Sequence, residues 1–234
     1  MVEGTKLVEE ALEAGAAVEA LYWSRGAPAV MLDRARDAGV PTYELAPGVL
    51  ERVADAVTPQ PVMAVVGAAP VDLTGLRDAR SVLVCDQVRD PGNAGTLVRT
   101  ARAAGVDGVV WCRESVDVYS PKTVRASAGA VFRVPFVVDA EPGPVMAELG
   151  RWGFRRLAAV PEGGRDYGAM DLSGRFALMV GNESHGLGAG RLDLVDDLVS
   201  VPMSGGTESL NVGVATAVIC FEAARQRRTA GVGP

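Results

Sequence analysis

Three stretches of the chain set charged or amide side chains among glycines, an arrangement that lets backbone come close to a ligand while a few polar groups act on it. In the first, Asp86 to Arg99, Pro91 and Gly92 shape a turn and Asn93 is placed to cap a following helix. Arg99 falls six residues after Asn93, less than two turns down that helix. A helix cap with a solvated arginine explains the stretch as readily as an active site does. In the second, Val180 to Gly188, Glu183 puts a carboxylate beside glycines, and His185 is the only histidine in the chain. An imidazole ordinarily titrates near neutrality and so invites an acid–base role, but a lone loop histidine is more often a surface residue. The glycine spacing fits neither a dinucleotide fingerprint nor a phosphate-cradling loop. In the third, Val201 to Val212, Ser209 and Asn211 are expected in the first turn of a long helix, where capping alone would account for both.

Each stretch follows a short, nearly continuous apolar run and precedes a helix or turn, the place where open α/β sheets bind ligands. Strands are expected at Val82–Cys85, Gly108–Cys112, Pro135–Val138, Arg156–Val160, Phe176–Val180 and Leu198–Met203, and helices at Ala94–Ala104, Val145–Trp152 and Leu210–Arg227. The residues between Arg113 and Val134 read as irregular. Ahead of these lies a smaller alternating unit, with helices at Thr5–Ala14, Ala29–Ala38 and Pro47–Val53 and strands at Val18–Trp23, Thr42–Leu45 and Val62–Val66. The expected division is therefore residues 1–66, a linker at 67–80 marked by Gly67, Pro70, Asp72 and Gly75, and residues 81–234.

Composition narrows the classes of function. Of 234 residues, 48% are hydrophobic and 22% charged, which fits a folded protein rather than a disordered one. The 28 glycines and 14 prolines beside only 5% aromatic residues call for many turns and an interior filled by alanine and valine. A net charge of −6 argues against gripping nucleic acid through bulk positive charge, yet leaves room for a local basic face. Arg99, Arg102, Arg113, Lys122, Arg125 and Arg133 cluster in one stretch, while acids gather from Glu3 to Glu19 and from Asp193 to Asp197. Cys85, Cys112 and Cys220 show no metal-ligand spacing and read as buried, reduced thiols. The N-terminus lacks the order of a signal peptide, and no apolar run nears the ~20 residues that span a bilayer, so a cytoplasmic protein is expected.

Together the stretches carry Asn-x5-Arg, Gly-Asn-Glu-x2-Gly-Leu and Val-Pro-Met-x-Gly-x3-Ser-Leu-Asn-Val in that order. Over residues 81–228 this set resembles the three motifs of the SpoU, or TrmH-like, family of RNA 2′-O-ribose methyltransferases in the SPOUT superfamily. The resemblance implies an α/β fold with a parallel sheet, and a C-terminal trefoil knot around Gly181–Gly188 and Val201–Leu210, against the general absence of knots. It implies S-adenosyl-L-methionine as cofactor, held by Gly181, Val201, Met203 and Leu210, with no metal. Ribosomal RNA is the preferred target, and transfer RNA the alternative. Arg99 matches the arginine held to activate the ribose hydroxyl. Because a guanidinium keeps its proton to above pH ~12, positioning a phosphate or hydroxyl is an equal role. By the same correspondence Asn93 would orient Arg99 or the ribose, Glu183 would organise the pocket, and Ser209 and Asn211 would hydrogen-bond substrate or loop.

Family members act as homodimers, and the stripe Val212, Ala215, Val218, Ile219 and Ala223 suits either such a contact or ordinary core. Residues 1–66 resemble, more weakly, the small ribosomal-protein-like substrate-binding domain that precedes many such catalytic domains, where recognition would rest on RNA shape and unstacked nucleotides. The abrupt start at Val2-Glu3-Gly4, where relatives often carry a basic leader, is expected of a short or truncated N-terminus. Gly213 stands where the family commonly has serine, a change expected to touch packing more than chemistry. One rival is a non-catalytic RNA-binding or assembly protein of the same fold, which would lack Arg99, Glu183 or Asn211. Another is a methyltransferase acting on a small metabolite, which the acidic charge would suit.

Overall fold

The first module answers to its short apolar runs. Strand β1 (Val2–Glu3), helix α1 (Thr5–Glu13), β2 (Val18–Trp23), α2 (Ala29–Asp37), β3 (Thr42–Glu44), α3 (Leu50–Val53) and β4 (Val62–Val66) follow in turn. They form a four-stranded sheet in the order β1-β4-β2-β3, with β2 parallel to β3 and antiparallel to β4. Helix α1 buries Leu7, Val8 and Ala11, the stripe that its spacing predicts. The chain is described by a computed structural model over residues 1–54, 58–205 and 208–231.

Residues 67–80 are packed rather than free. The Val71 N–H donates to the Phe136 carbonyl at 2.8 Å, Leu73–Leu76 form a 3-10 turn, and Leu76 is buried against Gly108, where a Cβ would collide with it.

The second module continues with β5 (Ser81–Cys85), α4 (Pro91–Ala104), β6 (Gly108–Cys112), α5 (Pro121–Ser127), β7 (Phe136–Ala140), α6 (Pro142–Arg151), β8 (Arg155–Ala159) and β9 (Arg165–Asp166). It ends with β10 (Phe176–Val180), α7 (Ala189–Leu192), β11 (Asp197–Ser200) and α8 (Val212–Thr229). The strands make a seven-stranded sheet in the order β7-β6-β5-β10-β8-β11-β9, and every pairing in it is parallel. Strands β5, β6 and β10 are buried along their whole length, which is why they read as unbroken apolar runs.

Several expectations need correction. Helix α4 begins at Pro91, and its N-cap is Asp90, whose carboxylate accepts the Asn93 N–H at 2.8 Å, so Asn93 is not the cap. The stretch after Arg113 is not wholly irregular. It holds α5, capped by Ser120 with Pro121 at its first position, a start signal that reading by apolar period overlooked. Strand β11 ends at Ser200, so Val201 and Met203 lie beyond the sheet. Helix α8 starts at Val212 with Asn211 as its cap, which leaves Ser209 outside the first turn.

The two modules share one buried cluster, which runs from Val2, Leu7, Leu21 and Met31 to Leu83, Val109, Val131 and Ile219. At their junction the Arg133 guanidinium donates to Glu10 at 3.1 and 3.2 Å and lies 3.7 Å from Glu13. Gly129 permits the approach, since a Cβ there would come within 2.7 Å of the Glu10 Cβ.

Candidate active site

The carboxyl ends of β8, β10 and β11 and the first turns of α8 enclose a cleft of about 470 Å³, where an open parallel sheet is expected to bind its ligand. Its walls are largely apolar, with Val180, Val199, Val201, Met203, Leu210 and Ile219 among them, and the loop from Gly181 to Leu187 forms a rim of backbone.

That loop is folded back on itself. Asn182 and Gly186 exchange backbone hydrogen bonds of 3.1 and 2.9 Å, and a Cβ on Gly181 would lie 2.6 Å from the Gly186 carbonyl carbon and oxygen. Only glycine fits there. The Asn182 side chain accepts the Ser184 and His185 N–H groups at 2.9 and 3.2 Å and donates to the Gln87 carbonyl at 3.0 Å. Asn182 thereby fastens the second glycine-bearing stretch to the first. Its role was not foreseen, although an asparagine directly after glycine in a loop is a known turn signal.

One line of hydrogen bonds joins all three stretches. The Glu183 carboxylate accepts from the Asp90 and Arg89 N–H groups at 3.0 and 3.3 Å and from the Asn93 amide at 3.2 Å. The Asn93 oxygen accepts in turn from the Asn211 amide at 2.7 Å. Asn211 Oδ1 then caps α8 by accepting the Gly213 and Val214 N–H groups at 2.9 and 3.3 Å. Partial burial works to raise the Glu183 pKa, but the donors from Asp90, its own backbone, Asn93 and Arg89 outweigh it and hold the group below its ordinary range. Glu183 is thus an anionic acceptor beside the amino end of α4, where the helix dipole favours it.

A second tie runs beneath the first loop. Asp86, 4% exposed, accepts from Arg191 Nε at 2.7 Å, while its other oxygen has no hydrogen-bond partner among the described residues. The pair links the end of β5 to α7, and no pattern in the sequence pointed to it.

The expected site residues fall into groups. Gly181, Val201, Met203, Leu210, Ser209, Glu183 and His185 all line the cleft. Asn93 and Asn211 stand behind it on the hydrogen-bonded line. Arg99 does not line the cleft; it is exposed on α4 and makes no hydrogen bond or ion pair with any described residue. Gly206 and Thr207 of the third motif lie outside the described residues. The α8 stripe divides as well. Ile219 and Ala223 are core and Val212 and Ala215 line the cleft, so of the stripe only the half-buried Val218 is left to an outer face. The exposed apolar residues of α8 are Val214 and Phe221.

A parallel α/β sheet whose apolar cleft opens beyond the strand ends, rimmed by a glycine-bearing loop and bounded by helix starts, defines an enzyme-like site for a nucleoside-sized ligand. Residues 80–221 match the model of the SpoU rRNA Methylase family, and residues 1–64 match that of the MRM3-like substrate binding domain. The chain belongs to the SpoU rRNA methylase family. It is 35% identical over 226 residues to the 23S rRNA (guanosine(2553)-2′-O)-methyltransferase RlmP of Bacillus subtilis, covering 94% of this chain and 86% of that one. It is 36% identical over 179 residues to the 23S rRNA (uridine(2479)-2′-O)-methyltransferase of Streptomyces viridochromogenes, covering 72% of this chain and 61% of that one. Among solved structures, the SpoU methyltransferase AviRb of Streptomyces viridochromogenes in complex with AdoMet superposes with a TM-score of 0.85 at 31% identity, covering 97% of this chain and 90% of that one.

Proposed function

We propose that the chain transfers a methyl group from S-adenosyl-L-methionine to a ribose 2′-hydroxyl of ribosomal RNA. The observation that carries this reading is the Glu183–Asn93–Asn211 line, which draws the three motif stretches together at one wall of the cleft. The relatives named above act on 23S rRNA at a 2′-oxygen, and AviRb holds AdoMet.

The cleft suits that cofactor. Its size lies within the range of small-ligand sites, and its apolar walls beside a glycine-bearing loop suit an adenosine. Gly181, Val201, Met203 and Leu210 would hold it. Bound there, it supplies an electrophilic methyl carbon for an oxygen that approaches in line. The chain's own work is then positioning, the main demand of such a transfer. Glu183 is committed to backbone and amide donors and serves as a clamp. Asn93 and Asn211 fix the starts of α4 and α8 relative to that clamp. Arg99, a cation without a partner among the described residues, is left to bind substrate phosphate or ribose oxygens.

The same reading divides the chain into a substrate-binding module at 1–66, a connector at 67–80 and the methyltransferase module at 81–234. It also includes threading of the chain at 181–188 and 201–210 into a knot. It places the protein in the cytoplasm; no helix among the described residues is long and apolar enough to cross a membrane. A homodimer belongs to it too, seated on Val214, Val218 and Phe221, which repeat at helical spacing on the outer side of α8, Val214 and Phe221 being 46% and 45% exposed.

Tritium-labelled S-adenosyl-L-methionine incubated with total RNA tests the proposal. Label is expected in ribosomal RNA, and is expected to vanish when the target nucleotide is replaced by its 2′-deoxy form. Arg99→Ala should abolish transfer while calorimetry still detects cofactor binding. Label confined to transfer RNA would move the target, and absence of both label and cofactor affinity would overturn the enzymatic reading.

A further inference from the structure

The fold sorts the basic stretch between Arg99 and Arg133 into two kinds of residue. Arg113 pairs with Asp139 and Glu141 at 3.3 and 2.5 Å, and Arg133 pairs with Glu10 and Glu13. Arg99, Arg102, Lys122 and Arg125 pair with nothing among the described residues. Arg99, Arg102 and Lys122 are exposed and Arg125 is half-buried. Elsewhere on the surface, Arg34, Arg36, Arg151, Arg155, Arg156 and Arg225 each sit against a carboxylate.

Lys6, Arg25, Arg52, Arg165 and Arg228 are likewise unpaired among the described residues but lie on separate elements, whereas Arg99, Arg102, Lys122 and Arg125 share one place. Helices α4 and α5 hold them and contain no carboxylate at all. The helices touch at Gly95, where a Cβ would overlap Ala126 and the Ser127 backbone. Arg99 and Arg102 follow Gly95 by four and seven residues, and Lys122 precedes Ala126 by four, so helical periodicity sets them along the flanks of that contact. Helix α4 starts at the Glu183–Asn93–Asn211 line, so this basic face leads away from the cleft wall.

Charge elsewhere sharpens the point. Residues 1–66 contain five basic and ten acidic side chains, so the module resembling a substrate-binding domain cannot draw a polyanion by net charge. The attraction must come from another surface. We propose that the α4–α5 face is the phosphate track that seats the RNA strand carrying the target ribose. The inference rests on RNA being the substrate and adds where its backbone lies. Phosphate contacts of this kind position a strand without reading its sequence.

Fluorescence anisotropy of a labelled, mixed-sequence single-stranded RNA oligonucleotide, titrated over a series of KCl concentrations, tests the track. The triple variant Arg102→Gln/Lys122→Gln/Arg125→Gln omits Arg99, which belongs to the site. It should weaken binding by roughly tenfold or more at low salt and flatten the slope of log affinity against log salt by about 2, near 0.7 per lost contact. A matched variant, Arg34→Gln/Arg36→Gln/Arg151→Gln, removes equal charge from paired positions and should stay within about twofold of wild type. Cofactor affinity by calorimetry should be unchanged in both. Glutamine keeps good helix propensity, and the single variants Lys122→Gln and Arg102→Gln, each expected to flatten the slope by about 0.7, guard against a misfolded triple. An unaltered slope in the triple or the singles, or equal weakening in the matched variant, overturns the track. Failure of wild type to bind S-adenosyl-L-methionine would sink the methyltransferase reading while the salt slopes still judged the surface.

Discussion

Glu183 accepts hydrogen bonds from two backbone N–H groups of the first loop and from Asn93, so its proton affinity and the stability of the site are linked. Its folded pKa lies below the ordinary 4.5. The stabilisation is therefore complete above about pH 4.5 and drains away as pH falls through the lower folded value. Thermal midpoints measured from neutral to acid pH should fall less steeply for Glu183→Gln than for wild type, with the neutral-pH difference below about 1 kcal/mol because solvent screens the group. Asp86 poses the opposite problem, a buried carboxylate with a single donor. Arg191→Ala strands that charge and should cost about 2 kcal/mol in urea unfolding, discounted from a fully buried pair because Arg191 is partly exposed. Adding Asp86→Asn to it should recover part of the loss, and strict additivity of the two would show that the pair does not couple. The cysteines carry no such tension. Burial pushes Cys112 and Cys220 up to about 12 and Cys85 well above the ordinary thiol range, as inert interior thiols require.

Between elements, one close approach of α8 to α4 is informative. Gly213 lies at the start of α8 against α4, and a Cβ there would come 2.7 Å from Thr96 Cγ2 and 3.1 Å from Thr96 Cβ. Glycine in a helix costs up to ~1 kcal/mol, and here it admits a threonine on the facing helix. Gly213→Ser should therefore destabilise by about 1–3 kcal/mol rather than stabilise. Thr96→Ala in the same chain should recover much of that, as read from unfolding midpoints of the four-member cycle. The contact also holds Asn93 and Asn211 in register, so the Gly213→Ser chain should lose methyl transfer along with stability.

For the molecule as a whole, the two sheets lean on one buried cluster and are tied at their surface by Arg133, Glu10 and Glu13. Calorimetry should show a single cooperative transition, since neither sheet can open without exposing part of the common core. Two resolved peaks would mean that the modules unfold independently. Arg133→Glu sets like charges together at the junction and should lower the transition temperature by a few degrees, as a loss near 1 kcal/mol does in a chain of this size.

Apolar strands, helix periods and three ordered motifs are properties of neighbours along the chain, and from them the alternating α/β pattern, Gly108–Cys112, Phe176–Val180 and Val62–Val66 to the residue, and the family were all legible in the amino-acid sequence. Gly181, Val201, Met203 and Leu210 were also found by motif, and they do line one cleft. What the residues do for each other was not legible. That Glu183 reaches Asn93 across ninety positions and that Asp86 meets Arg191 both follow from strand order, whereas the Asp90 cap is a local signal, an aspartate before a proline, that was passed over for Asn93. Which arginines remain unpaired followed from the same cause, because a partner is set by distance in space, and only the packed chain makes distant residues near.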